Sequence, residues 1–355
     1  MAQKIVYWLL IALILSLGFG QLLRFDFYGI PIYLHDILVL LFLVSALVPN
    51  FVKNKVRNFV FPGYLKIFIL ALILSSLRAL TLYPLSSLLV PSLYLLRLLT
   101  YLALYLLLQK SKLQVPKLVF LIAGIVALTI GLIQYFFMPD MRIFQYLGWD
   151  DHLSRLTLPH FDPTFTAVML GLFALSLPVN QWFIGALVCL SILLTYSRSV
   201  WLSLAFTFAY FMMKNKKYKY LIIGICLLVI PISLLPKRFG EGTNLLRTYS
   251  ISSRVESDLS YITKYKWDLV LGRGLNTLIL DQDTTHASGP NNSYLYLLTT
   301  TGVLGLVGWG IFMWSIYQKS RYKPMLVFFF VASLFNNVMF YPFALLWIFL
   351  IDDLV

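Results

Sequence analysis

Apolar runs of roughly 17 to 25 residues, each closed by a short polar or basic cluster, follow one another along the chain, and each is long enough to cross a bilayer as a helix. Read between the charge clusters, they predict helices near 5–23, 35–50, 63–80, 85–109, 118–138, 162–178, 182–196, 199–213, 219–235, 292–317, 324–338 and 341–351. The expectation is an all-α polytopic membrane protein with about twelve (ten to twelve) transmembrane helices, forming one membrane domain over residues 1–355. The closely spaced pairs around Pro178 and Pro342 read equally well as re-entrant or hinged segments. Two connections are long and polar, 138–161 and 236–290.

Composition agrees with this pattern. With 60% hydrophobic residues and 12% charged ones, too little polar surface remains to cover a water-soluble core. The run from Ile5 to Leu23 follows one lysine and shows no convincing small-residue cleavage site, so it is expected to be a retained span. Cys189 and Cys226 both fall in apolar runs and are expected to be buried free thiols.

Charge then orients the helices. Lys4, Lys53/Lys55/Arg57, Lys110/Lys112/Lys117, Lys214/Lys216/Lys217/Lys219 and Lys319/Arg321/Lys323 fall on alternate connections, so these and both termini are expected on the cytoplasmic side of a plasma membrane. The net charge of +14 is therefore accounted for by topology and anionic lipid, and carries no implication of nucleic-acid binding. All acidic residues except Asp352 and Asp353 fall on the other side or in outward half-spans.

That outer side also holds Arg24, Arg78, Arg97, Arg142, Arg155, Arg198, Arg238, Arg247, Arg254 and Arg273, with Lys237, Lys264 and Lys266. An arginine in or beside a span costs about 2.5 to 3.5 kcal/mol on insertion scales, so each should have a compensating partner. Snorkelling, or an ion pair to an outer carboxylate such as Asp36, is one explanation. An anion site is the other, because the guanidinium fork binds phosphate oxygens bidentately and keeps its charge. Arg78, Arg97 and Arg198 are the most costly placements.

The first long connection interleaves Asp140, Arg142, Asp150, Asp151, His152, Arg155 and His160 with Phe144, Tyr146 and Trp149, furnishing common to sugar sites and to interfacial helices. The second is expected to be partly helical. Ser252-Ser253-Arg254-Val255-Glu256 reads as a helix start, and Val255, Leu259, Ile262 and Trp267 as the apolar stripe of a surface helix lying over the membrane. Gly272-Arg273-Gly274 ends it, without the preceding strand or third glycine of a dinucleotide site. His35, His152, His160 and His286 are scattered, and no His/Cys/Asp/Glu set shows metal-ligand spacing. No metal or other cofactor is expected.

Three segments together resemble the C-terminal signature of bacterial O-antigen polymerases and O-antigen ligases. They are Leu271-Gly272-Arg273-Gly274-Leu275-Asn276, Pro290-Asn291-Asn292-Ser293-Tyr294-Leu295 and Thr301-Gly302-Val303-Leu304-Gly305-Leu306. Tyr196-Ser197-Arg198-Ser199-Val200-Trp201 and Ser252-Ser253-Arg254 are similar too. The resemblance implies a GT-C-like fold and an inverting, metal-independent glycosyltransferase. Its partners would be an undecaprenyl pyrophosphate-linked glycan and the bilayer, with a chain-length regulator as a further candidate.

On this resemblance Arg198 and Arg254 match the motif arginines and are the first candidates for pyrophosphate contacts. Arg273, Arg155, Arg97 and Arg78 are second choices, with Asn292 also on the substrate side. Ligases carry a histidine where Asn291 stands, so polymerisation of lipid-linked repeat units is the favoured reading and ligation to lipid A core the alternative. His286 is a candidate for the missing base. A lipid-linked oligosaccharide flippase is the alternative of another class, although long outer loops argue against it.

Overall fold

The computed structural model describes residues 2–27, 30–46, 62–111, 113–217, 243–244, 249–281 and 289–354. The fold is mostly helical. In chain order the helices are α1 (Ala2–Phe19), α2 (Leu34–Ala46), α3 (Gly63–Leu82), α4 (Leu89–Ser111), α5 (Lys117–Phe137), α6 (Pro163–Ser176), α7 (Trp182–Leu194), α8 (Arg198–Lys214), α9 (Tyr249–Lys264), α10 (Ser293–Lys319), α11 (Lys323–Ala332) and α12 (Pro342–Leu354). Among the described residues five helical stretches, Lys4–Leu23, Gly63–Leu82, Leu85–Ser111, Lys117–Phe137 and Ser293–Lys319, are long and apolar enough to cross a membrane. Leu34–Ala46, Pro163–Ser176, Trp182–Leu194, Lys323–Ala332 and Pro342–Asp352 are apolar but shorter. The expected helix at 219–235 lies outside the described residues.

One element departs from an all-α reading. Arg24–Phe27 (β1) and Ile30–Tyr33 (β2) form an antiparallel pair with Arg24 opposite Tyr33 and Phe27 opposite Ile30. The alternation Arg-Phe-Asp-Phe sits at the end of the first apolar run, where it reads as a boundary rather than as a strand.

Helix α12 is the axis of the bundle. From Phe343 to Ile351 its side chains are essentially inaccessible, the signature of a helix apolar on every side. α4 and α6 pack on it, α1 packs on α5 and α2, and α11 on α8 and α6. The most extensive helix pair is α3 with α10. Gly308 makes their close approach possible: a Cβ there would lie 2.5 Å from the Phe68 backbone nitrogen, while the neighbouring Trp309 ring sits 4.8 Å from that of Phe68.

α10 is not one uninterrupted helix. Gly302 has φ 73° and ψ −178°, a conformation open essentially to glycine alone, and the chain kinks there. The break frees backbone groups that the segment after α9 then uses. Arg273 N–H donates to the Thr299 carbonyl (3.1 Å), Gly274 N–H to Thr300 (2.8 Å), and Val303 N–H to Leu269 (2.9 Å). Gly272 (φ +76°) and Gly302 lie where these backbones meet. The two glycine motifs of the sequence are thus halves of a single joint.

α9 starts at Tyr249, earlier than Ser252, so Ser252 and Ser253 lie within it and are not its cap. Its apolar stripe is exposed at Val255, Leu259 and Ile262, as is Trp267 just beyond it, while Tyr261 and Tyr265 are buried against the bundle. An amphipathic helix with its apolar face turned away from the protein is suited to an interface with lipid. Cys189 is exposed on α7, contrary to the expected burial, because α7 turns one apolar face away from the bundle. Cys226 lies outside the described residues.

Candidate functional site

The costly arginines separate into three groups. Arg97, on α4, holds Asp36 of α2 through two hydrogen bonds, Nε to Oδ1 (2.9 Å) and Nη2 to Oδ2 (2.7 Å), and also donates to the Pro31 carbonyl (3.0 Å). Tyr101 donates a third bond to Asp36 (2.6 Å), and the Tyr33 and Tyr94 rings lie about 5.1 Å from the guanidinium. This is the ion pair expected as the non-functional explanation. It ties the hairpin to the bundle and leaves Arg97 little charge to offer an anion.

Arg78 and Arg273 form the second group. Both grip Asp268, Arg78 at the end of α3 and Arg273 from the motif after α9 (Nη1 to Oδ2, 2.8 Å). Arg273 also reaches Asp281 (3.2 Å) and the Tyr83 hydroxyl (3.0 Å), and Tyr83 and Tyr265 in turn donate to Asp281 (2.8 and 3.1 Å). The network clamps the long connection onto the top of α3. The Asp268 side chain is only 9% exposed, so removing its charge leaves Arg78 without its counter-ion and Arg273 with Asp281 alone. Asp268→Asn is therefore expected to lower stability by about 2 to 4 kcal/mol, the smaller figure reflecting the partial exposure of Arg78. Thermal unfolding in detergent, with Arg142→Ala at an exposed pair as the neutral control, measures this.

Arg198, Arg254 and Arg155 form the third group, where helix starts converge. Asp162 caps α6, accepting from the Thr164 and Phe165 N–H groups at 2.6 and 2.8 Å. Ser197, which precedes α8, donates to Thr164 (3.4 Å), and Ser199 accepts from the Asn336 amide (3.2 Å). The Asn336 carbonyl accepts from the Ser293 hydroxyl at the start of α10 (2.8 Å), which Asn292 caps through Tyr294 N–H (2.9 Å) and Leu295 N–H (3.2 Å). The N-terminal ends of α6, α8 and α10 thereby meet, and each brings the partial positive charge of a helix start.

Arg254 reaches this convergence from α9, donating Nη1 to the Phe335 carbonyl (3.1 Å). Burial and the nearby Arg198 disfavour its charged form, while Asp162 and Asp258 favour it. Among the described residues no carboxylate is ion-paired with Arg254. Arg155 lies behind, buried, with Nε donating to the Thr195 carbonyl (2.9 Å). Arg198 is half-buried at the first turn of α8. Asn291 is exposed just before α10, and its backbone N–H bonds the Asp258 carboxylate.

The structure thus brings Arg155, Arg198, Arg254, Asn291 and Asn292 to one region and sets Arg78, Arg97 and Arg273 apart in carboxylate-bound clusters. His286 lies outside the described residues. No family model matches the sequence, and no curated protein matches it.

Sequence reading did not single out Asp162 or Asp258, whose signal is visible only once distant segments are folded together. The same holds for Asp150, His152 and Asp162. Their ligand atoms lie within 4.8 Å of one another, a donor set able to hold a divalent cation, although residues 150, 152 and 162 have no ligand spacing along the chain. Burial, then Arg155, keeps His152 below its ordinary pKa, so the imidazole is neutral at physiological pH. In the first long connection Asp140 pairs with Arg142 (2.6 Å) and Trp149 stacks on Phe161 (4.7 Å), so three of the residues that could furnish a sugar site are engaged with neighbours.

Proposed function

We propose that this chain is a lipid-dependent glycosyltransferase of twelve transmembrane helices and GT-C-like fold. It would polymerise undecaprenyl pyrophosphate-linked oligosaccharide repeat units by an inverting reaction at the outer face of a bacterial plasma membrane. The observation that carries the reading is the convergence of Arg198 and Arg254 with the N-terminal ends of α6, α8 and α10 at one end of an apolar helical bundle. Fixed positive charge gathered in one place favours a reaction whose leaving group is a dianionic pyrophosphate.

In the proposed reaction an acceptor sugar hydroxyl attacks the anomeric carbon of the donor, and the bond to the pyrophosphate oxygen breaks. Arg198 and Arg254 take up the charge that develops on that oxygen, and Arg155 adds positive potential from behind. The exposed apolar face of α9 keeps this arrangement at the level of the lipid headgroups, where a prenyl-linked donor presents its pyrophosphate.

Purified protein in vesicles, supplied with lipid pyrophosphate-linked repeat units, is expected to produce a ladder of lengthened glycans. A single transfer to lipid A core instead of a ladder makes the protein a ligase. Movement of the lipid across the bilayer with no glycosidic product replaces the enzyme by a flippase.

A further inference from the structure

Helix α9 presents a face at i, i+4, i+7 and i+11 made of Arg254, Asp258, Tyr261 and Tyr265. The two tyrosines are buried against the bundle, and Val255, Leu259 and Ile262 point the other way. Asp258 therefore stands one turn from Arg254 on the inward face. One side of its carboxylate accepts the Asn291 N–H, while its Oδ1 is buried and has no hydrogen-bond partner among the described residues. A buried carboxylate oxygen without a donor is destabilising by about 1 to 3 kcal/mol, a cost that structural packing alone does not explain.

We propose that Asp258 is the base that receives the proton of the acceptor hydroxyl, an assignment that rests on the glycosyl-transfer reading above. As the acceptor oxygen forms its bond to the anomeric carbon, the hydroxyl proton passes to the Asp258 carboxylate. The electron pair of the cleaved carbon–oxygen bond leaves on the pyrophosphate, whose charge Arg198 and Arg254 meet. Reactants and products balance with no further co-reactant.

The other acids near the site are committed elsewhere. Asp162 spends Oδ1 on the Thr164 and Phe165 N–H groups as the cap of α6. Asp268 and Asp281 are held by arginines, and Asp150 is exposed. His152 is made less basic than an ordinary imidazole by burial and by Arg155. Asp258 has the opposite environment: burial raises its pKa, and with it the strength of the conjugate base. Around it stand Arg254 on its own helix and Asn291 just before α10, with Arg198 and Asp162 acting on Arg254.

The test compares wild type, Asp258→Asn and Asp258→Glu with one lipid pyrophosphate-linked donor and its acceptor across pH. Asp258→Asn is expected to lower kcat by about 10²- to 10⁴-fold with the donor KM little changed, and to abolish the acid-side fall in rate that wild type shows. Asp258→Glu should recover most of the rate. An Asp258→Asn protein that transfers at the wild-type rate, or loses only donor affinity, overturns the base while leaving the transferase reading intact. A wild type that forms no glycosidic product overturns both.

Discussion

Arg254→Ala is expected to slow glycosyl transfer by about 10²- to 10³-fold while the protein remains folded, the loss typical of removing one fixed charge or donor from a developing anion. The expectation follows from how its charge is disposed. Arg97 has Asp36, and Arg78 and Arg273 share Asp268, whereas Arg254 spends one N–H on the Phe335 carbonyl and meets carboxylates only at longer range. Its charge is directed at the meeting point of three helix starts. Arg198→Ala should act in the same direction, and the double variant should lose less than the product of the two because both meet the same leaving group. Arg254→Lys, which keeps the charge but not the fork, should fall between. Transfer assays beside size-exclusion profiles in detergent separate rate from folding; Arg254→Ala at full rate moves the pyrophosphate pocket elsewhere.

Gly302→Ala is expected to be severely damaging for the addition of a single methyl group. The added Cβ would stand 2.3 Å from the Val270 carbonyl oxygen, at a residue whose φ of 73° already excludes other side chains. Neither backbone can yield without breaking the bonds from Arg273, Gly274 and Val303 that join the long connection to α10. The cost should exceed about 3 kcal/mol, seen as loss of folded protein or a large fall in Tm. Gly310→Ala, on the same helix, meets nothing within 4 Å of the new methyl and should be neutral or mildly stabilising. Equal behaviour of the two variants would rule out the joint as a source of rigidity.

Most helix positions were legible because the bilayer writes them as run length. Eleven of the twelve expected spans coincide with helices of the structure, from Ala2–Phe19 to Pro342–Leu354, and the twelfth lies outside the described residues. The inward and outward faces of α9 were legible from periodicity, its first turn was not, because serines at 252 and 253 are tolerated inside a helix whose stability comes from Tyr261 and Tyr265 packing on the bundle.

The site was only half legible. Insertion cost marks an arginine as needing a partner, and for Arg97 the carboxylate at Asp36 was a nearby candidate. Nothing in the linear chain separates Arg78 and Arg273, which share Asp268, from Arg254, which has no ion-paired carboxylate among the described residues. Asp258 escaped notice for a related reason: attention falls on Asn291, where ligases carry a histidine, and on His286, whereas this carboxylate comes from another helix and is marked by its buried Oδ1. Of the resemblance motifs, the glycine motif builds the joint between α10 and the long connection, and its Arg273 serves the clamp.

The shared counter-ion of Arg78 and Arg273 also dictates an order of assembly. Asp36 is synthesised 61 residues before Arg97, so that arginine finds its partner waiting when it is made. Arg78 precedes Asp268 by 190 residues. Until the long connection has been translated and folded back, water or lipid phosphate must hold the Arg78 charge. α3 therefore completes its contacts only after the long connection has been made, whereas the Arg97–Asp36 pair can form earlier.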